Sequence, residues 1–558
     1  MKNKWKTTWS AVFCLVMLWG EAGCRPGPEL TGEEKRADDL RKYLSTEYPC
    51  AITAVEAEMS VITVHGQTDR DGNYDLVEVT PYGDVLAETG FAARVPVSSA
   101  SFSKTFDRFV ERDGFVYDRT LSRWLVVRER QGRDEIASHA RYADRIEASR
   151  TTVREKPASK KGLGDCRCFA MMFSDLDTLG ITSATVNIRI TTLLHSHPGE
   201  GRLEHRYGGR SYYIDEVPLR RMDKALIACR DRGIVVAGII LVNPASQSAD
   251  PVIGALLQHP DFTPEGRYTM PNLTCAESTH AYAAILDFLA ERYTRPDKKY
   301  GRIHYWIMHN EVDSPLEWTN MGEGKPVGVY MDTYVKSLRM CHNIVRRYDP
   351  HAEVMVSHTH AWAVADNEKT YATLDMLETL NRYCRTEGDF PWGLAFHCYP
   401  QDLRKPQTWL DDKAHYRMST PIITYKNLEV LDHWIKLPEN RYQGTEKRTL
   451  WLSENGTNSP DYTETDETRQ AAGLAWGWTK IRQLDGIDAH QWHNWSDHEE
   501  EFGLRIGLRK FPKDGLAAKE VWHVYRAAGT PREEEVFGKY LPVIGIESWD
   551  ILEEVGHP

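Results

Sequence analysis

The feature that most constrains this chain is an alternation of short apolar runs with longer helical segments from residue 166 onward. Eight runs have the length and composition of buried parallel strands. Eight strand–helix units over this length predict a (β/α)₈ TIM barrel spanning 166–535. The runs are RCFAMMF (167–173), ATVNIRI (184–190), IVVAGIILVN (234–243), IHYWIM (303–308), EVMVSH (353–358), GLAFHCY (393–399), TLWLSE (449–454) and AHQWHNW (489–495).

A doubly wound α/β sheet is the alternative architecture for the same alternation. Such folds carry a glycine-rich phosphate-binding loop directly after their first strand. No such loop follows the first predicted strand here. The barrel is therefore the preferred prediction.

The residues before the barrel have a different pattern. Residues 46–130 contain short alternating runs broken by turn residues, which predicts a small N-terminal β-sandwich. Residues 25–45 are charged and contain proline and glycine, as a tether would. We predict that 131–165 is a linker and that 536–558 is a C-terminal tail.

The N-terminus predicts export. Three lysines within the first six residues precede an apolar run, Trp9–Trp19, that is too short to span a bilayer. Small residues then precede Cys24, and this arrangement resembles a bacterial lipoprotein signal, in which that cysteine is lipidated. We expect a signal peptide at 1–24 and a protein of the cell envelope, attached only through its N-terminal lipid, or a secreted protein.

The charge and cysteine content argue against a nucleic-acid-binding protein and against a protein held together mainly by disulfides. Lysines and arginines number 69 and acidic residues 81, so the net charge is 69 − 81 = −12. This balance argues against a nucleic-acid partner, which calls for a basic surface. Eight cysteines beyond Cys24 and the signal are too few for disulfides to be the main scaffold of so long a chain, and buried thiols are expected.

Two glutamates stand where predicted strands end. Glu311 follows the fourth run in the motif WIMHNEVDSP, and Glu454 ends the seventh run in TLWLSENG. The carboxyl ends of barrel strands meet at one face, where active sites form. Cleaving a glycosidic bond with retention takes a proton donor and a carboxylate about 5–5.5 Å apart. This pair suits that chemistry.

These motifs resemble the clan of retaining (β/α)₈ glycoside hydrolases, over residues 166–530. The clan carries Asn-Glu at the end of strand four and a second Glu at the end of strand seven. The resemblance implies that Glu311 is the acid/base, that Glu454 is the nucleophile, and that Asn310 binds the sugar 2-hydroxyl. It implies a carbohydrate substrate and no cofactor.

The same resemblance implies further substrate-binding residues. His397 and Tyr399 occupy the end of strand six, near the nucleophile. Arg189, on strand two, would support the nucleophile. Strand eight ends in an aromatic platform, for which Trp492 and Trp495 are the candidates. These two are three residues apart, so both cannot face the cleft from a regular strand.

Two other functions are open. A metal-dependent barrel hydrolase is suggested by the His-x-His pairs at 195–197 and 358–360. These pairs follow the second and fifth predicted strands, whereas metallohydrolases of this fold carry theirs on the first. A surface glycan-binding lipoprotein with a non-catalytic barrel fits the tether, the β-rich domain and the aromatic content equally well. The glycan and its linkage are left open by the sequence.

Overall fold

The computed structural model describes residues 31–69, 72–86, 90–97 and 100–552. The predicted signal peptide at 1–24, including Cys24, lies outside the described residues. The structure has a closed eight-stranded barrel preceded by two four-stranded sheets. No helix among the described residues is long and apolar enough to cross a membrane.

The strands of the N-terminal part form the two four-stranded sheets and a separate hairpin. They are β1 (Ala51–Ala57), β2 (Val61–Gln67), β3 (Tyr74–Val79), β4 (Ala93–Val97), β5 (Ser101–Asp107), β6 (Phe109–Arg112), β7 (Phe115–Asp118), β8 (Arg123–Arg130), β9 (Arg133–Ile136) and β10 (Arg145–Ile146). The sheet orders are β10-β1-β2-β5 and β4-β3-β8-β9, and β6 pairs with β7. Alternate residues of both sheets, such as Ile62 and Leu76, are fully buried in one shared hydrophobic cluster.

The remaining strands build the barrel and one hairpin sheet beside it. They are β11 (Lys161–Leu163), β12 (Ser183–Arg189), β13 (Leu194–His195), β14 (Arg202–Tyr207), β15 (Arg210–Asp215), β16 (Val235–Leu241), β17 (Tyr305–Met308), β18 (Glu353–His358), β19 (Trp392–Phe396), β20 (Leu450–Asn455) and β21 (Ala489–Trp492). The barrel order is β11-β12-β16-β17-β18-β19-β20-β21, all parallel, and β21 closes on β11. Inward side chains such as Ile239, Tyr305 and Trp451 fill its interior.

The helices begin and end where the sequence supplies caps. Asp215 caps the helix that follows it, and Gly180 ends another in the left-handed conformation. The helices are α1 (Gly32–Ser45), α2 (Ala170–Leu179), α3 (Glu216–Arg230), α4 (Pro251–Leu257), α5 (Ala276–Tyr293), α6 (Pro315–Trp318), α7 (Val327–Arg346), α8 (Thr373–Glu387), α9 (Leu428–Lys436), α10 (Glu464–Gln483), α11 (Glu520–Ala527), α12 (Glu533–Phe537) and α13 (Leu541–Ile544).

The barrel prediction is confirmed, with one strand misplaced. Seven of the eight predicted runs overlap observed barrel strands. The run 167–173 was wrong, because helix α2 begins within it at Ala170. The first barrel strand is instead the three-residue β11, which pairs with β12 and β21.

The segments predicted to be irregular are largely ordered. The predicted linker at 131–165 was wrong in character, because it contains β9, β10 and β11. The predicted tether was wrong from Gly32 onward, where α1 forms behind a capping box of Thr31 and Glu34. In the predicted tail, Phe537 and Leu552 are buried in the hydrophobic cluster that lies between the barrel strands and the surrounding helices.

Polar contacts join the N-terminal sheets to the barrel. The Asn343 side chain donates to the carbonyl of Thr120 at 2.7 Å, and the Tyr43 hydroxyl donates to the Glu387 carboxylate at 2.9 Å. The N-terminal part therefore packs on the barrel through buried polar contacts.

The eight described cysteines are free thiols, most of them buried, as the sequence predicts.

Candidate active site

The end of β17 turns Glu311 into the mouth of the barrel. The backbone is left-handed at His309 and again at Glu311, with φ of 39° and 37°. His309 points outward, where its ring contacts the carbonyl of Ile240 and the hydroxyl of Ser337, each at 3.0 Å. The Glu311 amide donates to Ser357 at 3.1 Å. Two left-handed residues thus end the regular alternation, and Glu311 faces the strand ends opposite.

Glu311 is a partly buried carboxyl group paired with a histidine. Its Oε1 lies 2.7 Å from Nδ1 of His397, which directly follows β19. Burial, with a contribution from the charge of Asp313, raises the pKa of Glu311 to about 8. Burial also lowers the pKa of His397. Both groups are therefore mainly neutral at pH 7, and Oε1 and Nδ1 share one hydrogen bond.

Glu454, on β20, lies among hydrogen-bond donors. The Tyr399 hydroxyl donates to its Oε1 at 3.1 Å. Nε2 of His493 lies 3.9 Å from the same oxygen and 3.5 Å from Oε1 of Glu501. Burial disfavours a charged His493, but the carboxylates of Glu454 and Glu501 outweigh it and raise the pKa of His493 to about 9. A cationic imidazole therefore stands beside Glu454 at neutral pH.

The two glutamates are close enough to act on one bond. One oxygen of Glu311, one oxygen of Glu454 and one ring nitrogen of His397 all lie within 4.8 Å of one another. Retaining glycosidases place their carboxyl groups about 5–5.5 Å apart, and inverting ones about 6.5–9.5 Å apart. With one oxygen of each within 4.8 Å of the other, both carboxyl groups can reach the same bond.

The same three atoms could also ligate a metal ion, since two carboxylates and an imidazole are a suitable donor set. The His-x-His pairs are placed differently. His195 is buried, and His197 contacts Asp250 at 3.2 Å. His358 contacts Asp313 at 3.5 Å. In the described part of the chain, neither pair belongs to a group of three metal-ligating residues.

The other predicted substrate-binding residues divide into two sets. Asn310 is buried beside Glu311, and its side chain has no hydrogen-bond partner among the described residues. Tyr399 and His397 contact the two glutamates directly. Arg189 was predicted to support the nucleophile, but the described contacts of Glu454 do not include it. Its exposed side chain lines a neighbouring cavity.

The predicted aromatic platform was wrong at both tryptophans. Trp492 is fully buried, and its indole donates to the carbonyl of Ile506 at 2.9 Å. Trp495 is 5% exposed and donates to Asp175 at 2.7 Å. On β21, Gln491 points into the barrel and contacts Ser183, so its neighbour Trp492 points outward to the helices.

Two residues of the site were missed in the sequence. His493 lies in the run that drew attention for its tryptophans, and Glu501 follows in an acidic stretch. Neither has a motif of its own. Their pairing depends on how the segment after β21 folds back over the mouth, which no local pattern encodes.

Several solved structures are similar to this chain at low sequence identity. A family 39 glycoside hydrolase from Bacteroides cellulosilyticus WH2 is 14% identical, with a TM-score of 0.43, over 87% of this chain and 83% of that one. A glucosidase from Croceicoccus marinus is 12% identical, with a TM-score of 0.41, over 67% and 69%. A β-glucuronidase from Bacteroides uniformis is 11% identical, with a TM-score of 0.37, over 86% of this chain and 49% of that one. This chain thus spans about half the length of that last protein.

Among curated proteins, none matches the sequence. A family model described as a family of unknown function, DUF5722, matches residues 153–552. The match covers more than half of the chain, including every barrel strand and both glutamates. The chain therefore belongs to the DUF5722 family.

Proposed function

We propose that this protein is a retaining glycoside hydrolase that cleaves O-glycosidic bonds of a poly- or oligosaccharide. The observation that carries the proposal is the approach of Glu311 and Glu454 to within 4.8 Å at the mouth of a (β/α)₈ barrel. The protonated state of Glu311 at neutral pH supports it, because one of the two carboxyl groups must donate a proton.

The first step forms a covalent glycosyl-enzyme. An oxygen of Glu454 attacks the anomeric carbon while the bond from that carbon to the leaving oxygen breaks. The carboxyl proton of Glu311 passes to the leaving oxygen, so the departing sugar leaves as a neutral alcohol. The Tyr399 hydroxyl and the charge of His493 hold Glu454 in position.

The second step releases the sugar. Glu311, now a carboxylate, takes a proton from water, and the water oxygen attacks the anomeric carbon. The bond to Glu454 breaks, and both glutamates return to their starting states. The unpartnered amide of Asn310 is placed to bind a hydroxyl of the sugar during both steps. No cofactor is required by this sequence of steps.

The experiment that tests the proposal combines a glycan panel with two variants. Plant, algal and host polysaccharides are incubated with the native protein and with Glu311→Gln and Glu454→Gln. We expect hydrolysis of at least one glycan by the native protein and a loss of at least a thousandfold in Glu454→Gln. An activated fluoro-sugar should label Glu454, and label on another residue would refute the assigned nucleophile.

A metal-dependent hydrolase is a second candidate, favoured by the donor set of Glu311, His397 and Glu454. Such an enzyme would lose activity on chelation and regain it with added metal. The retaining mechanism predicts unchanged activity after exhaustive dialysis against EDTA. Metal analysis of the purified protein provides a readout independent of the assay.

A further inference from the structure

A cavity of about 700 Å³ opens beside the site, at the carboxyl ends of β11 and β12. The residues that give it its chemical character are three arginines, an amide, a histidine and an aromatic ring. They are Arg167, Arg189, Arg221, Asn187, His498 and Phe169. The cavity is at the same face of the barrel as Glu311 and Glu454.

Two of the arginines have no counterion in the part of the chain that the structure describes. Arg189 and Arg221 are exposed to the cavity, and neither makes an ion pair or side-chain hydrogen bond with the described residues. The chain carries 81 acidic against 69 basic residues, so acidic partners are abundant elsewhere. The adjacent Arg220, for comparison, pairs with Glu216 at 2.8 Å.

The carboxylates at the cavity do not neutralise these arginines. Asp165 is engaged by Arg167 and by the Asn187 amide, which donates to it at 3.2 Å. Glu500 is exposed at the rim. Guanidinium groups bind carboxylate and sulfate groups through paired N–H donors. Two free guanidinium groups therefore favour an anionic ligand.

An exposed ring completes the cavity. Phe169 is 50% exposed and stacks on Trp495 with their ring centres 6.1 Å apart. Trp495 packs against one face of this ring, and the exposed part of Phe169 lines the cavity. An aromatic ring next to hydrogen-bonding groups is an arrangement that suits the apolar face of a sugar.

The cavity lies next to the site of the proposed reaction. Gly164, directly before Asp165, packs so closely on His493 that a β-carbon there would lie 3.3 Å from the histidine side chain. His493 in turn lies 3.9 Å from Glu454. Contacts from Glu454 through His493 and Gly164 therefore lead to Asp165, at the wall of the cavity.

We propose that this cavity is a subsite for an anionic sugar unit, with Arg189 and Arg221 binding its carboxylate or sulfate group and Phe169 contacting its ring. The inference rests on the proposed glycosidase function and narrows its substrate class to acidic glycans. Uronates and sulfate esters share this chemistry, and the experiment distinguishes them.

The test measures binding separately from turnover. Full-length Glu454→Gln protein is titrated calorimetrically with uronic-acid oligosaccharides and with their carboxyl-reduced forms. A second arm uses sulfated oligosaccharides and their desulfated forms. Arg189→Gln and Arg221→Gln are made in the same background, with Arg220→Gln as the matched control. Hydrolysis of the same glycans by the native chain is recorded in parallel.

We expect one acidic series to bind at least tenfold more tightly than its neutral form. Arg189→Gln and Arg221→Gln should each lose about tenfold for the acidic form only, and Arg220→Gln should lose nothing. Equal binding of every acidic glycan and its neutral form would overturn the subsite. Selective binding without hydrolysis by the native chain would instead refute the glycosidase proposal and leave the subsite standing.

Discussion

Nδ1 of His397 lies 2.7 Å from Oε1 of Glu311, and burial shifts both groups toward their neutral forms. This hydrogen bond fixes the orientation of the acid before substrate arrives. When the Glu311 proton leaves for a glycosidic oxygen, the neutral tautomer of His397 with its proton on Nδ1 donates to the carboxylate. One contact therefore serves both states of Glu311.

The pH profile should show Glu311 as the acid. Its protonated form is required in the first step, and its pKa is about 8. We expect kcat/KM to fall about tenfold per pH unit above pH 8, as measured on the substrate found in the glycan panel.

The Glu311→Gln variant provides the control for that profile. It should lose the alkaline limb together with about 10²–10⁴-fold of its rate on a natural glycan. An aryl glycoside with an acidic phenol needs little protonation, so its first step should be nearly unaffected. An alkaline limb that persists in Glu311→Gln would assign the titration to another group.

The same group should make stability depend on pH. Between pH 4.5, the ordinary value for a glutamate, and about 8, the folded chain holds the Glu311 proton and the unfolded chain does not. The contribution of Glu311 to the free energy of unfolding is thus fully present below pH 4.5, and it is lost as the pH rises toward 8. Glu311→Gln should raise the midpoint of thermal unfolding by a few degrees at pH 8 and by less at pH 5.

Tyr399 should act on the nucleophile. Its hydroxyl donates to Glu454 at 3.1 Å, a charge-assisted hydrogen bond. We expect Tyr399→Phe to lower kcat by about tenfold to a hundredfold with little change in folding. Tyr212→Phe is a matched control, because that buried hydroxyl contacts His280 at 2.8 Å, on the hairpin outside the mouth. Equal losses in the two variants would point to a general effect on packing.

Glu501 should set the charge of His493. Glu501→Gln removes one of the three carboxylates, with those of Glu454 and Asp165, that raise the pKa of this imidazole to about 9. In Glu501→Gln we expect a lower pKa of His493, visible in an NMR titration of ring-labelled histidine. Glu499→Gln is the control, because Glu499 is exposed and pairs with Lys513. An unchanged His493 titration in Glu501→Gln would contradict the contact.

A buried ion pair should stabilise the segment after β21. Lys519 and Asp497 are both fully buried, 3.2 Å apart. Lys519→Met would leave a buried carboxylate without its cation, which costs about 3–5 kcal/mol in comparable cases. Lys513→Met removes an exposed pair and should change nothing measurable in urea denaturation. Comparable midpoints for both variants would show that Asp497 is reached by water.

The barrel could be predicted from the sequence alone, because a succession of short apolar runs is a local feature. The positions of Glu311 and Glu454 at strand ends followed from the same runs, and their catalytic roles stay a prediction. The sequence failed at β11, whose residues Lys161–Leu163 are too few and too polar to show a strand pattern. It also misassigned 167–173, since a short apolar run does not distinguish a strand from a helix.

The direction in which strand side chains point was the second feature that the sequence did not predict. The inward or outward phase of β21 depends on neighbouring strands, so the burial of Trp492 could not be read from its spacing to Trp495. The His493–Glu501 pair depends on how the segment after β21 folds, and the arginine cavity depends on distant parts of the chain meeting at the mouth. Such meetings are tertiary events without a local signature.

The two left-handed residues at the end of β17 have a consequence for engineering. Positive φ at His309 and Glu311 is unfavourable for residues other than glycine, by about 1–2 kcal/mol each. Other contacts of the folded chain offset this unfavourable backbone conformation. Adding or deleting one residue here would rotate the acid away from Glu454. Libraries that seek new specificity should therefore vary side chains along the cavity of Arg189 and Arg221 and keep the length of 308–311 constant.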